Sequence, residues 1–443
     1  MTLSYKLFLR SKVKHPLLAK SYKKFIFATS STLFVFLVFQ VWSGSIPLYQ
    51  GKITSDRTRS LRDLNNREDM LTRRAQIDST CKLFPNMSET LMTSKWLVSR
   101  KHNFLYCPVE KVASTFWRRF LHQLEYTNPM RSPFDISAHH IYSHIDTNTS
   151  VYETKNQLAQ LLHKSIKLLF VRDPFNRLFS AYVDKLLAPN PIFWRIWGVR
   201  AIQQFRSTPK GGQAKPACGD DVTFGEFVSL SVSPVGQLDH HLMRIVGLCS
   251  PCYVNYTIVG KMETFARDTG LLLRHLDINE SDLHLDRMSD DVTKDAVEDS
   301  VLDAMSPTWM NKSLGCISKD DIIARIWRKL QIRGFISWRI DRQMAPENVR
   351  DINGALLTDL LKMAVLASNN RTELSIQKSQ ALLEAYSTLA QNQFDSIRRV
   401  YDMDFKLFNY NSQPEELSPT RLAEVKHTGA FDWRKKWDLT SIL

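Results

Sequence analysis

Glycine and proline are scarce in this sequence, with 15 glycines and 17 prolines among 443 residues. This composition excludes a collagen-like chain and a low-complexity chain. Cysteine is also sparse, with six residues, so the chain is not a small disulfide-stapled scaffold. Hydrophobic residues make up 43% of the chain, and its length suits one large or two ordinary domains with a buried core.

Acidic residues are absent from residues 1–24, although this segment carries seven lysines and arginines, half of the formal net charge of +14. Residues 25–42 then contain no charged side chain, and these 18 residues are enough for a membrane-spanning helix. Because basic residues precede this helix, we expect a cytoplasmic tail at 1–24, a signal anchor at 25–42 and a lumenal remainder. A cleaved signal peptide is the alternative, but its apolar stretch is usually only about 7 to 15 residues long.

The predicted lumenal part carries several N-glycosylation sequons, which fit a secretory protein. They argue against a nucleic-acid partner, which the positive charge alone would otherwise indicate. The sequons begin at Asn86, Asn148, Asn255, Asn279, Asn311 and Asn370.

The lumenal part divides into a stem at 43–95, of mixed charge, and a globular domain at 96–410. An acidic and then basic insertion of mostly helical character is predicted at about 281–385, and a C-terminal tail at 411–443.

Two strand-then-helix units predict an α/β domain with a central parallel sheet flanked by helices. In the first unit, the apolar run 102–109 precedes a helical pattern at 114–126. In the second, the apolar run 165–171 precedes a helix with Pro174 in its first turn, where proline is tolerated.

Each strand-to-helix junction has residues that suit an anion site, although an ordinary turn at the first and an Arg–Asp surface pair with a helix cap at the second are the alternatives on local pattern alone. The first carries Lys111 among small residues before a helix, where backbone N–H groups and a lysine can bind an anion. The second has Arg172 at the end of a strand and Ser180 on the helix, and an arginine fork suits phosphate oxygens. The GxxxxGK[ST] phosphate-binding loop is absent from the chain.

Together the two junctions, CPVEKVASTFWRRFL at 107–121 and FVRDPFNRLFSAY at 170–182, resemble the two cofactor-binding motifs of Golgi carbohydrate sulfotransferases. The family that includes the chondroitin and dermatan 4-O-sulfotransferases matches best. Three further stretches resemble motifs of that family in the same order: GDDVTFGEFV at 219–228, LCSPCYVNYTIVGKMET at 248–264 and YDMDFKLFNY at 401–410.

The resemblance implies sulfuryl transfer from the donor PAPS to a sugar hydroxyl in the Golgi lumen, without a metal. The first motif would bind the 5′-phosphosulfate, with Lys111 at the bridging oxygen, and the second would bind the 3′-phosphate. The expected donor-binding residues are Glu110, Lys111, Val112, Ala113, Ser114, Thr115, Phe116, Arg172, Asp173, Pro174, Phe175, Asn176, Arg177, Leu178, Phe179 and Ser180.

A base for the acceptor hydroxyl should be a histidine or a carboxylate. The segment between the two motifs offers His139, His140 and His144, of which His140 is favoured and His139 is next, with His241 as a further option. Glu110 stands where the family usually has proline, and a carboxylate beside the phosphosulfate would weaken donor binding unless it points away.

The expected partner is an acidic glycan, such as a glycosaminoglycan containing GalNAc or uronate, or an N-glycan; a homodimer is left open. A run without acids from Lys185 to Lys215 predicts either a glycan-binding face or a solvated helix, and its aromatic residues are Phe193, Trp194, Trp197 and Phe205.

The pair Cys249 and Cys252 has the spacing of half a zinc site, but no second pair or His-x-His follows. In an oxidising lumen we expect a disulfide here, with Cys218 and Cys316 as candidate partners and Cys107 as a buried free thiol.

Two other functions stay open at this stage. A type II Golgi glycosyltransferase would need a metal-binding acidic pair, for which Asp402 and Asp404 are the candidates. A catalytically inactive glycan-binding relative would have kept the fold and lost the donor. Removal of divalent metal would distinguish the first of these from a sulfotransferase.

Overall fold

A computed structural model describes most of the chain after residue 50. The predicted signal anchor at 25–42 lies outside the described residues. Within the described residues, no helix has both the length and the apolar character needed to cross a bilayer. The backbone alone is described for 51–66 and 155–158. The described residues are 51–85, 96–126, 132–143, 155–206, 218–284, 287–342, 351–440 and 442.

The central sheet of the described region has the strand order β1 (Leu97–Ser99), β2 (Phe104–Cys107), β3 (Ile166–Val171) and β4 (Ile258–Lys261). The pairs β2–β3 and β3–β4 are parallel, as predicted. The edge strand β1 is antiparallel to β2, because a short turn containing Asn103, with a positive φ of 47°, reverses the chain between them.

Helices make up most of the rest of the described chain. In chain order the helices are α1 (Gly51–Leu83), α2 (Ser114–Tyr126), α3 (Ala138–Ser143), α4 (Lys155–Lys164), α5 (Pro174–Tyr182), α6 (Pro191–Phe193), α7 (Val199–Phe205), α8 (Phe224–Ser231), α9 (Ile245–Cys249), α10 (Phe265–His275), α11 (Met288–Met305), α12 (Pro307–Leu314), α13 (Lys319–Ile332), α14 (Gly354–Ala367), α15 (Arg371–Ser387), α16 (Gln391–Val400), α17 (Asp402–Leu407) and α18 (Pro419–Ala423). Single 3₁₀ turns occur at Pro133–Asp135, Gly236–Leu238, Met262–Thr264, Glu280–Leu283 and Glu415–Leu417, and π-helical turns at Val183–Leu187 and Trp194–Gly198.

Strands β2 and β3 form because their residues are apolar on both faces, as in a parallel sheet covered by helices. Aromatic rings pack on the sheet: the Trp117 ring centroid lies 4.9 Å from that of Phe170, which lies 5.1 Å from that of Phe265. Gly260 on β4 makes room for this packing, since a Cβ there would come within 2.4 Å of the Phe170 ring. A methyl group at residue 260 would therefore displace the ring.

A second hydrophobic core lies among the helices. It joins Phe175 on α5 to Tyr386 on α15, with ring centroids 5.5 Å apart. Helix α13, in the predicted insertion, contributes Ile322 and Ile326 to this core. Residues of the predicted C-terminal tail also join it, since Trp437 and Leu439 are fully buried there.

Three disulfides connect the described cysteines and correct the predictions. Cys107 is not a free thiol, because the end of β2 lies beside α9 and Cys107 bonds to Cys249, with Cα atoms 5.8 Å apart. Cys252 bonds to Cys81 on α1. The two candidate partners bond to each other instead, as Cys218–Cys316.

Candidate active site

The turn between β2 and α2 forms a concave group of backbone N–H donors. Lys111 and Ala113 have positive φ angles of 67° and 55°, a left-handed conformation that costs residues with a Cβ about 1–3 kcal/mol each. Alternation of positive and negative φ turns successive N–H groups toward one side and makes an anion-binding concavity. The first N–H groups of α2, at Ser114, Thr115 and Phe116, have no acceptor within the helix. The turn and the helix start therefore suit an anion.

Asp184, directly after α5, collects three lysines beside this turn. Its carboxylate oxygens lie 2.7 Å from Lys111 Nζ, 3.0 Å from Lys329 Nζ and 3.4 Å from Lys185 Nζ. Burial would raise the pKa of Asp184, but the ammonium groups outweigh it and hold that pKa well below its usual range. Burial also lowers the pKa of Lys111 to about 8, although the Asp184 carboxylate opposes this shift. Three positive charges against one negative charge leave the cluster positive.

The Glu110 carboxylate is bound by its own helix. Ser114 Oγ donates a hydrogen bond of 2.7 Å to Oε2, and Arg118 Nη2 lies 3.4 Å from Oε1. Burial would raise the pKa of Glu110, but the Arg118 charge and other partners lower it to about 2. Glu110 is therefore ionised and held by Arg118, while the Ser114 hydroxyl that the sequence assigned to the donor is used on Glu110.

Arg172 joins the ends of β2 and β3. Its Nη1 donates to the carbonyl oxygen of Lys111 at 3.1 Å, and a guanidinium has more donors than this bond uses. Asp173 caps α5 by accepting from the backbone N–H of Asn176 at 2.8 Å, which is the usual role of aspartate at that position. The partly exposed side chains of Arg172 and Ser180 are available to a ligand, and so is Asn176, although its amide already donates to Asp173 at 3.0 Å.

Arg177, also expected to bind the donor, is instead a buried connector. Its Nε donates to the carbonyl of Glu110 at 3.1 Å, Nη2 to that of His240 at 3.2 Å and Nη1 to that of Met243 at 2.7 Å. One guanidinium therefore ties the β2–α2 turn to the segment 240–243.

The apolar members of the two motifs lie in the hydrophobic cores. They reach a ligand only through their backbone, and their side chains position the turns. They are Val112, Phe116, Phe175, Leu178 and Phe179.

Two positive side chains outside both motifs lie near Arg172. Arg333 follows α13, and Lys378 is on α15. Burial lowers the pKa of Lys378, and the charges of Arg172 and Arg333 lower it further. A Cβ on Gly334 would lie 3.7 Å from Lys378 Cβ, so the two elements are in contact there. The basic composition of 319–342 was visible in the sequence, but not its proximity to Arg172.

The histidines predicted as the base are on α3, at its exposed surface. The His140 ring centroid lies 5.9 Å from that of His122, in the second half of α2. Tyr142 of the same short helix reaches the first turn of α2, where its hydroxyl lies 3.1 Å from that of Thr115. His139 is also exposed. The third candidate, His144, lies outside the described residues.

His241 has an arrangement that the sequence did not reveal. Its Nδ1 lies 2.9 Å from Asp239 Oδ1, which also accepts its backbone N–H at 2.8 Å. The other oxygen, Oδ2, accepts from Trp197 Nε1 at 2.9 Å. Burial would raise the pKa of Asp239, but the hydrogen bonds from His241 lower it to about 2.

The two tryptophans of the basic run are structural, whereas Phe205 in the same run is 40% exposed. Trp194 and Trp197 are buried, and their indole N–H groups donate to Leu186 O and to Asp239. They therefore cannot stack on a sugar ring. Arg195 and Arg200 of the same run are exposed.

Comparison with known proteins assigns this region to a family. The sequence profile of the sulfotransferase family matches residues 94–314. Carbohydrate sulfotransferase 11 of Rattus norvegicus is 32% identical over 213 residues, 46% of this chain and 60% of the relative. Carbohydrate sulfotransferase 12 of Mus musculus is 32% identical over 212 residues, 42% of this chain and 49% of the relative. Carbohydrate sulfotransferase 9 of Homo sapiens is 32% identical over 212 residues, 46% of each chain.

The matched part of the chain thus spans about half the length of these curated relatives. The family match contains Lys111, Arg172 and His241, and it ends before Arg333 and Lys378. No solved structure matches the chain.

Proposed function

The chain belongs to the sulfotransferase family over residues 94–314, and from this premise we propose that it transfers a sulfuryl group from PAPS to a glycan hydroxyl. One observation carries the proposal: Lys111 and Arg172 meet at the carboxyl ends of two parallel strands, where α/β sheets bind ligands. The two ends of one phosphorylated donor would lie on these two turns.

Lys111 would stabilise the bridging oxygen as the S–O bond of the donor breaks. The N–H groups at Ala113 and the start of α2 would hold the 5′ end, while Arg172 and Ser180 would hold the 3′-phosphate. By analogy with phosphoryl transfer, positioning and charge neutralisation supply most of the catalysis. Arg333 and Lys378 would add positive charge at the 3′ end. The sequence predicts His140 or His139 as the base for the acceptor, with His241 as a further option.

The proposed acceptor is a glycan that contains GalNAc or uronate, such as chondroitin or dermatan, or an N-glycan. The names of the relatives support a carbohydrate acceptor. The exposed Arg195 and Arg200 offer charges for an acidic chain. A homodimer stays a prediction.

We place the enzyme in the Golgi membrane, with a type II topology and a lumenal catalytic domain. Three disulfides support an oxidising compartment. The sequon asparagines of the described part are exposed, as glycosylation requires; they are Asn255, Asn279, Asn311 and Asn370. The anchor at 25–42 belongs to the same proposal.

The glycosyltransferase alternative loses its acidic pair. The Asp404 carboxylate is buried and accepts the backbone N–H groups of Ile245 and Val246 at 2.7 and 2.9 Å, so it caps α9. Asp402 bonds to Lys406 at 2.7 Å. The alternative of an inactive relative depended on Glu110 weakening donor binding. Because the Glu110 carboxylate is bound to Arg118, its charge is compensated, and this argument for an inactive protein loses its basis.

The test is transfer of radiolabel from PAPS by the full chain purified in detergent, with EDTA present. Desulfated chondroitin, desulfated dermatan and N-glycans serve as acceptors. We expect label in at least one glycan, and a loss of about 100-fold or more in Lys111→Ala and Arg172→Ala.

The matched control is Lys101→Ala. Lys101 is exposed in the turn between β1 and β2. This turn lies at the amino end of β2, opposite the end that carries Lys111, so removal of Lys101 should leave the rate unchanged. Absence of label in every glycan, or full activity of Lys111→Ala, would contradict the proposal.

A further inference from the structure

Sulfuryl transfer needs a base on the acceptor side, and Lys111 and Arg172 are used on the donor. We propose that His241 is the base that takes the proton of the acceptor hydroxyl, with Asp239 as its positioning residue. This inference rests on the proposed function and adds a residue to the same site.

Hydrogen bonding determines which nitrogen of His241 is basic. Asp239 Oδ1 lies 2.9 Å from His241 Nδ1, and an ionised carboxylate can only accept hydrogen bonds. The proton of a neutral His241 ring is therefore on Nδ1, and the lone pair is on Nε2. Histidines that act as general bases are oriented in this way by a carboxylate.

The packing around His241 holds the ring and leaves part of it open. Phe193 and Trp197 approach it edge to face, with ring centroids 5.0 and 5.5 Å from that of His241. The His241 side chain keeps 22% of its accessible surface. Trp197 also fixes the second oxygen of Asp239, so the carboxylate cannot rotate away from the ring.

Arg177 connects the segment that carries His241 to the turn between β2 and α2. Its guanidinium bonds at the same time to the carbonyl of Glu110, next to Lys111, and to the carbonyl of His240, next to His241. A second route exists through Lys185, whose Nζ lies 3.4 Å from Asp184 and 4.9 Å from the ring centre of Phe193. Phe193 is the residue that packs on His241, so the base and the donor lysine share neighbours on both routes.

The proposed step balances in atoms and charge. The acceptor oxygen forms a bond to sulfur while the bond from sulfur to the bridging phosphate oxygen breaks. The electron pair of the broken bond stays on the leaving 3′,5′-ADP, beside the Lys111 ammonium. The proton of the acceptor hydroxyl goes to His241 Nε2 and is then lost to water.

The experiment uses the full chain in detergent and the variants His241→Ala, Asp239→Asn and the two combined. We expect His241→Ala to lower kcat by about 100-fold or more, with unchanged binding of 3′,5′-ADP in a calorimeter. Added imidazole should restore part of the rate of His241→Ala. His427→Gln is the matched control, because His427 is an exposed histidine of the C-terminal segment.

Asp239→Asn separates positioning from a purely structural role. We expect it to lower kcat by about 10-fold or more when His241 is present, and to have no further effect in His241→Ala. An equal loss in both backgrounds would overturn the positioning role, because residues that act as a unit are not additive.

Near-normal kcat in His241→Ala would overturn the proposal. So would a loss of kcat of about 100-fold in His139→Gln or His140→Gln, which would place the base on α3. If the wild-type chain transfers no label, the proposed function fails and this inference fails with it. If the wild type is active and His241→Ala is equally active, only this inference fails.

Discussion

Lys111 is held between a carboxylate that keeps it charged and a buried setting that favours its neutral form. Burial lowers its pKa to about 8, while Asp184 at 2.7 Å raises it. The proposed chemistry needs the ammonium form, because only a charged side chain can neutralise the leaving phosphate. The proposed chemistry therefore has an upper limit in pH, set by the loss of this proton.

This balance predicts an alkaline limit on activity. In the free enzyme, Lys111 loses its proton as the pH rises through about 8, so kcat/KM for PAPS should fall about tenfold for each pH unit above that value. Asp184→Asn removes the carboxylate that favours the charged form, and the fall should begin at lower pH. Lys111→Arg should lose this limb, because arginine stays charged. Identical pH profiles of wild type and Lys111→Arg would contradict the assignment.

Arg177 predicts a large effect on stability. Replacement by methionine keeps most of the volume but leaves the partly buried carbonyls of Glu110, His240 and Met243 without their donor. We expect a loss of about 2–4 kcal/mol in the free energy of unfolding, measured by urea denaturation. The exposed Arg195, changed to methionine, is the control and should cost less than about 0.5 kcal/mol.

At the scale of elements, the strands and helices that carry the donor turns follow from local pattern. The apolar runs at 102–109 and 165–171 become β2 and β3, and the helical pattern at 114–126 becomes α2 with the same bounds. Pro174 takes the first turn of α5, with Asp173 as cap. Such elements were predictable because periodicity and capping are properties of consecutive residues.

Helix α11 carries a row of aspartates that local pattern did not explain. Asp295 and Asp299 both face the buried Arg119, at 2.7 and 3.8 Å. Burial raises the pKa of Asp299 to about 7, and the Asp295 charge adds to this shift. In the unfolded chain the usual pKa is 3.8.

The raised pKa of Asp299 predicts that the free energy of unfolding decreases as the pH rises. Between pH 3.8 and about 7 the folded chain keeps the Asp299 proton that the unfolded chain has lost. The stabilisation from this proton is therefore complete below pH 3.8 and is lost as the pH rises through about 7. Asp299→Asn should raise the free energy of unfolding by about 1 kcal/mol at pH 8, after allowance for solvent screening. The effect should disappear at low pH, and a loss of stability at pH 8 would contradict this account.

At the scale of the whole molecule, pairings between residues far apart in the chain could not be predicted from the sequence. Cys107 and Cys249 are 142 residues apart, and nothing near either residue identifies its partner. The same holds for Asp184, which reaches Lys111 and Lys329 from a third element. Arg325, in the basic segment 319–342, is fully buried and lies 3.6 Å from the ring centre of Trp433, a contact that no local pattern indicates.

The Cys107–Cys249 bond predicts sensitivity to reduction. It joins the end of β2, directly before the donor turn, to α9, which follows the His241 segment. Replacing both cysteines by alanine should cost about 2–5 kcal/mol of stability and lower donor affinity as well, because the turn loses its support. Thermal unfolding and 3′,5′-ADP titration measure the two effects. Replacement of Cys218 and Cys316 is the matched comparison and should affect stability more than donor affinity.

The central claim is that the Lys111 turn and Arg172 hold the two ends of one donor molecule. Calorimetric titration of 3′,5′-ADP into the full chain and into Lys111→Ala, Arg172→Ala and the double variant tests it most directly. We expect one bound molecule per chain, weaker binding by about tenfold or more in each single variant and a larger loss in the double variant. Wild-type affinity in either single variant, or no binding by the wild type, would contradict the claim.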